Sequence, residues 1–175
     1  KPDNRGALLG LARIYMDNQD LEKAKPFIQA ALLKDSTNYR YLLLAADVFV
    51  TNDEIIQAQM LLQNGMLAHP DSATFHIRMA ETYLYVNRQE EAIASANQAL
   101  KRDPYNPYSY FLKGFAYKEL GDTSKAISTF QTSVEQDPNF YDGYVQLTLL
   151  HSQQKDDIAL QYVKHALSLR PTSRE

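Results

Sequence analysis

GFAYKELGDTSKAISTFQTSVEQDP, residues 114–138, is the stretch on which the fold turns. Its central alanine, Ala126, is one of a series: Ala24, Ala58 and Ala92 precede it at intervals of 34 residues, and Ala159 follows after 33. A fixed small-residue period of this length is the mark of stacked helix pairs.

Aligned on those alanines, the chain divides into units 5–38, 39–72, 73–106, 107–140 and 141–173. Two more columns stay small. Position 8 reads Ala12, Ala46, Ala80, Gly114, Thr148, and position 27 reads Ala31, Gly65, Ala99, Ser133, Ala166. Small residues in register let two helix axes approach closely. Bulk recurs beside them: Tyr15, Phe49, Tyr83, Tyr117, His151 at position 11, and Leu32, Met66, Leu100, Val134, Leu167 at position 28. Large and small columns alternating in helical register make each unit one helix hairpin.

Pro70, Pro104, Pro138 and Pro171 close units two to five, with Ser36 in that place in the first. Proline past a helix end stops the helix from continuing. Asn106-Pro107 reads as an N-cap followed by proline at the first helical position. Asn18, Asn52, Asn87 and Gly121 mark the turn inside each unit, being residues that tolerate a left-handed backbone. Pro26, beyond the first turn of a second helix, is expected to remove one backbone bond and bend that helix locally.

This pattern resembles the tetratricopeptide repeat, whose unit is a helix–turn–helix with small residues at 8, 20 and 27, an aromatic at 11 and proline at 32. Gly114, Tyr117, Gly121, Asp122, Ala126, Phe130 and Pro138 carry the likeness most fully, and it covers essentially the whole chain. It implies an all-α fold, a right-handed superhelix of five hairpins. Residues 1–4, with Pro2 at the proline position, fit the tail of a preceding repeat. The last helix, about Asp156–Leu169, carries Ile158, Leu160, Tyr162, Val163, Leu167 and Leu169 where a terminal repeat is ordinarily polar outside. Both ends therefore suggest a segment of a longer array, and a loose likeness to bacterial repeat proteins suggests a bacterial one.

Of the 175 residues 45% are apolar, enough for a packed core, and the formal charge of −3 comes without a basic cluster. Nucleic acid is thereby disfavoured as partner. No apolar run is long enough to span a membrane. With no cysteine there is neither a disulfide nor a thiolate metal site. Neither His69, His76, His151 nor His165 stands at metal-ligand spacing, and His76 and His151 read as packing residues. Glu90-Glu91 and Asp156-Asp157 suit helix starts better than acid–base pairs. No phosphate loop or nucleophile elbow is present. The expectation is a protein that is no enzyme and holds no cofactor or metal.

By the family resemblance, positions 2, 5, 6, 9, 12 and 13 of the first helices line a concave groove. In units one to three they are mixed in charge, including Arg13, Arg40, Asp47, Arg78 and Glu81. Units four and five offer Tyr108, Phe111, Leu112, Phe115, Val145 and Leu149, with Arg78 and Lys118 at the rim. Two readings of this cluster stand: a groove for an apolar peptide, or residues that the curl of the superhelix buries. On the first, replacing Phe111 and Phe115 by alanine weakens partner capture and leaves melting nearly unchanged. The lysine–asparagine pattern with which some relatives clamp acidic chaperone tails is matched by Arg78 alone. The expected function is a scaffold for a protein or peptide. The alternatives are self-association through the terminal helix or the groove, or a regulatory or tethering arm of a larger enzyme or membrane-anchored protein. A loose likeness to bacterial lipoproteins leans the compartment towards the periplasm or envelope.

Overall fold

The structure, a computed structural model, describes residues 5–153 and 157–169. Pro2, Asp156 and Pro171, and with them the proposed tail of a preceding repeat, lie outside the described residues. Ten helices and no strand occur among the described residues. The first helices of the hairpins are α1 (Arg5–Asp17), α3 (Tyr39–Thr51), α5 (Ala73–Tyr85), α7 (Pro107–Glu119) and α9 (Tyr141–Gln153). The second helices are α2 (Leu21–Lys34), α4 (Ile55–Ala68), α6 (Gln89–Arg102), α8 (Thr123–Gln136) and α10 (Ile158–Leu169). The chain forms two compact units that divide between Thr82 and Tyr83, inside α5.

Several helices start and stop for visible local reasons. Asn38 and Asn106 accept hydrogen bonds from the first-turn amides of α3 and α7, Pro107 following the second at the opening position. Asp20 and Asp122 do the same for Lys23 and Lys125 at the starts of α2 and α8. Pro70, Pro104 and Pro138 each lie two residues past the end of a second helix. Pro26 sits inside α2, which runs on to Lys34 around it.

Two of the four expected inner turns, those at Asn18 and Asn52, are displaced by one residue, while Asn87 and Gly121 stand as expected. Left-handed backbone occurs at Gln19, Asp53, Asn87 and Gly121, not at Asn18 or Asn52. Asn18 and Asn52 still bond back to Ile14 and Val48 within the helical frame, so the reversal falls on the residue after each. The next amide then reaches five residues back: Asp20 to Tyr15, Glu54 to Phe49, Arg88 to Tyr83 and Asp122 to Tyr117. This is the Schellman closure, and its acceptors are the position-11 aromatics.

In the first unit, Ala12, Ala24, Ile28, Ala45 and Val48 form the core shared by α1, α2 and α3. Leu8, Ala31 and Tyr41 form a second cluster there. In the second unit Ala126, Phe130, Val134, Leu147 and Leu150 join α8 to α9. Size is exchanged between position 27 and position 3 of the following hairpin. Phe75 fills the space over Gly65, whereas Gly143 makes room for Ser133 and Val134. His151 is 6% exposed beside the Tyr162 ring, a packing role, and His76 is half-buried.

Candidate binding surfaces

A cleft of about 630 Å³ opens in the first unit. Gly6, Leu9, Gly10 and Arg13 of α1 line it together with Arg40, Leu43, Leu44 and Asp47 of α3 and Arg78 of α5. On both α1 and α3 the residues fall at offsets of 0, 3, 4 and 7, which puts each set on one helix face. Gly6 and Gly10 leave the α1 wall bare, and a Cβ at Gly10 would meet nothing within 4 Å. Backbone is therefore open to a ligand along two turns.

Three guanidiniums and one carboxylate give this cleft a positive excess. Arg78 lies 3.7 Å from Asp47 and 3.0 Å from Glu81, between two carboxylates. Burial pushes the Asp47 carboxyl above its ordinary value, Arg78 opposes the push, Glu81 adds to it and Arg13 opposes it. Asp47 is thus incompletely compensated for leaving water.

The second unit places the other seven sequence-predicted residues. Tyr108 stacks on Phe111 at 5.9 Å, and Phe115 follows at 6.4 Å along α7. Phe111 is also edge-on to Phe140 at 5.5 Å and tilted against Phe130 at 5.6 Å. Leu112 is 5% exposed and packs inward. Lys118 holds its ammonium 4.1 Å from the Phe115 ring centre and donates to Gln146 Oε1 at 3.1 Å, bridging α7 and α9. Val145 and Leu149 border a smaller apolar notch of about 190 Å³, closed on its other side by Val163, Ala166 and Leu167 of α10. The structure therefore brings Tyr108, Phe111 and Phe115 together and sets Val145 and Leu149 in the notch. Arg78 belongs to the first unit. The sequence places Arg13, Arg40, Asp47 and Arg78 on one mixed-charge lining without showing the cleft they border. Gly6 and Gly10, four apart inside one helix, were the signal of an opening there.

Among the described residues no group of three metal-ligating side chains converges, and no helix is long and apolar enough to cross a membrane.

Helix hairpins, four of them closed by the same inner turn, that pack through size exchange at fixed positions define a helical repeat protein. The chain belongs to the tetratricopeptide repeat family: models of that repeat match residues 6–35, 73–106 and 96–128. Over 77 residues it is 34% identical to the tetratricopeptide repeat and J domain-containing co-chaperone DNJ1 of Fusarium oxysporum f. sp. lycopersici. That match covers 44% of this chain and spans only 15% of the length of the relative. The fold is similar to the crystal structure of PilW, a widely conserved type IV pilus biogenesis factor, with a TM-score of 0.81. The identity there is 22%, over 97% of this chain and 79% of PilW. YrrB, a tetratricopeptide repeat protein with an unusual peptide-binding site, is similar at a TM-score of 0.65 and 18% identity. The likeness covers 97% of this chain and 88% of YrrB. The fold is that of a tetratricopeptide repeat scaffold.

Proposed function

We propose that the cleft of the first unit binds an extended peptide that carries an acidic side chain or a terminal carboxylate. The observation that carries this reading is the pairing of bare backbone at Gly6 and Gly10 with Arg13, Arg40 and Arg78 around one cavity. A guanidinium fork matches a carboxylate in shape as well as charge, and Leu9, Leu43 and Leu44 offer apolar contact to the neighbouring residues of a peptide. The aromatic surface of Tyr108, Phe111 and Phe115, with Lys118, Val145 and Leu149, is a second contact region for apolar side chains. Binding involves no bond-making step, so the protein acts without catalysis and without a cofactor.

Five repeats, 5–38, 39–72, 73–106, 107–140 and 141–173, are the organisation that supports these surfaces. First helices that begin at intervals of 34 residues favour it. The fold likeness to PilW favours a bacterial envelope or periplasmic setting over the cytoplasm. Self-association is the second reading, favoured by Leu160 and Leu167 of α10, which are 58% and 59% exposed.

The test of the peptide reading is fluorescence anisotropy with a labelled peptide alternating leucine and glutamate, against its leucine–glutamine counterpart. The acidic peptide should bind more tightly and lose affinity as salt rises, and Arg40→Gln should weaken it several-fold. Equal binding of the two peptides would remove the basis for this reading.

A further inference from the structure

We propose that the cleft of the first unit takes a peptide of mixed charge, with an acidic side chain against Arg40 and a basic one, about three residues away, on the carboxylate of Asp47. The proposal rests on the peptide reading above and adds which end of the cleft holds which charge.

The cleft has two unlike ends. Gly6 and Arg40, 34 residues apart, occupy the same repeat position on α1 and α3, and so do Arg13 and Asp47. Uncharged residues separate the two pairs on both helices. Arg13 acts electrostatically on Asp47, which places both at one end. Arg40 and Asp47 are seven residues apart along α3. That is about 10.5 Å of helix, a span that about three residues of extended peptide cover.

Charge is divided unequally between the ends. Arg13, Asp47, Arg78 and Glu81 gather at one of them as two cations and two carboxylates, which cancel. The positive excess of the cleft therefore falls on Arg40, with which no carboxylate of the described residues pairs. Arg40 is exposed, and at Gly6 beside it no side chain blocks the approach of a ligand.

Asp47 is the opposite case. Arg78 stands 3.7 Å from it, beyond hydrogen-bond reach, and is held closer to Glu81, at 3.0 Å. Among the described residues no donor bonds to the Asp47 carboxylate. A carboxylate drawn partly out of water without a hydrogen bond is costly, and a basic side chain entering the cleft supplies the missing donor. An acidic side chain at the same end meets Asp47 and Glu81 instead.

Fluorescence anisotropy with the whole chain and labelled leucine peptides, acetylated and amidated at their ends, tests this. Each peptide carries glutamate and, three residues away, lysine, glutamine or a second glutamate, the first two kinds in both orders. In its better order the glutamate–lysine peptide should bind about two- to five-fold tighter than glutamate–glutamine, the worth of a partly exposed ion pair. Glutamate–glutamate should bind more weakly than either. In Asp47→Asn the advantage of lysine should vanish, and in Arg40→Gln all the peptides should weaken. The comparison on the unaltered chain needs no variant. No preference for lysine over glutamine, glutamate–glutamate binding as tightly as glutamate–lysine, or a lysine advantage that survives Asp47→Asn would overturn the charge assignment and leave the peptide reading standing. Failure of every peptide to bind the unaltered chain would overturn both.

Discussion

The Phe75 ring stands directly on Gly65: a methyl group added at Gly65 would lie 2.7 Å from Cζ and nearer still to Cε1 and Cδ1. Phe75 is wholly buried and also meets Tyr39 edge-on and His69 face-on. The ring therefore has no space into which to retreat. Gly65→Ala should destabilise the protein by about 2 kcal/mol despite the better helix propensity of alanine. Urea unfolding measures it, and a second change, Phe75→Leu, should recover part of the loss. A gain in stability for Gly65→Ala would show that the ring is elsewhere.

Gly10 is the contrasting case, a glycine in mid-helix with open space around it. Gly10→Ala should stabilise the fold by about 0.5–1 kcal/mol, the ordinary difference between these residues in a helix. The same urea experiment reads it, and a loss of stability would mean that the α1 wall is packed.

At the inner turns, Gln19 and Asp53 hold φ of 59° and 60° without the freedom of glycine. Gln19→Gly and Asp53→Gly should each stabilise by several tenths of a kcal/mol to about 1 kcal/mol. Gly121→Ala, at φ 78°, should cost a similar amount. Thermal melts of the three variants must therefore move in opposite directions.

Phe111 packs against Phe130 and Phe140 as well as towards the surface. Phe111→Ala should accordingly cost about 3 kcal/mol of stability, contrary to the nearly unchanged melting expected from the sequence. Leu149, 49% exposed, should cost under about 0.5 kcal/mol on replacement by alanine. A partner lost with Leu149→Ala and stability intact would identify that residue as a contact.

Asp47 gives a pH dependence with a definite sign. Its carboxyl is raised in the folded state, chiefly by burial, so the unfolded chain loses the proton first as pH rises through the ordinary value of 3.8. Stability is lost as pH climbs through that window. Asp47→Asn should melt higher than the parent at neutral pH, with the difference vanishing below 3.8. It should also tighten binding of the acidic peptide, since a negative charge leaves the cleft. A difference that instead grows on acidification would contradict the assignment.

The hairpins and their contact columns are legible in the letters because size exchange demands specific residues: the Phe75 ring stands too close to Gly65 for even a methyl group there. The turn residue is legible at Asn87 and Gly121 but not in the first two hairpins, because the left-handed position is set by where the helix frame ends, and Gln19 and Asp53 give no compositional sign of it. Tyr108, Phe111 and Phe115 share a face by spacing alone. That Leu112 turns inward, or that Lys118 covers Phe115, depends on the neighbouring helix. The family register places Arg13, Arg40, Asp47 and Arg78 on one lining, but that they border a cleft of about 630 Å³ depends on how α1, α3 and α5 pack.

Amide shifts in a 15N-labelled sample test the central claim, that the first-helix faces of the first unit hold a peptide. Titration with the leucine–glutamate peptide should move Gly6 and Gly10 and leave Gly121 and Gly143 in place. Movement of Gly143 with Gly6 and Gly10 unmoved would contradict it.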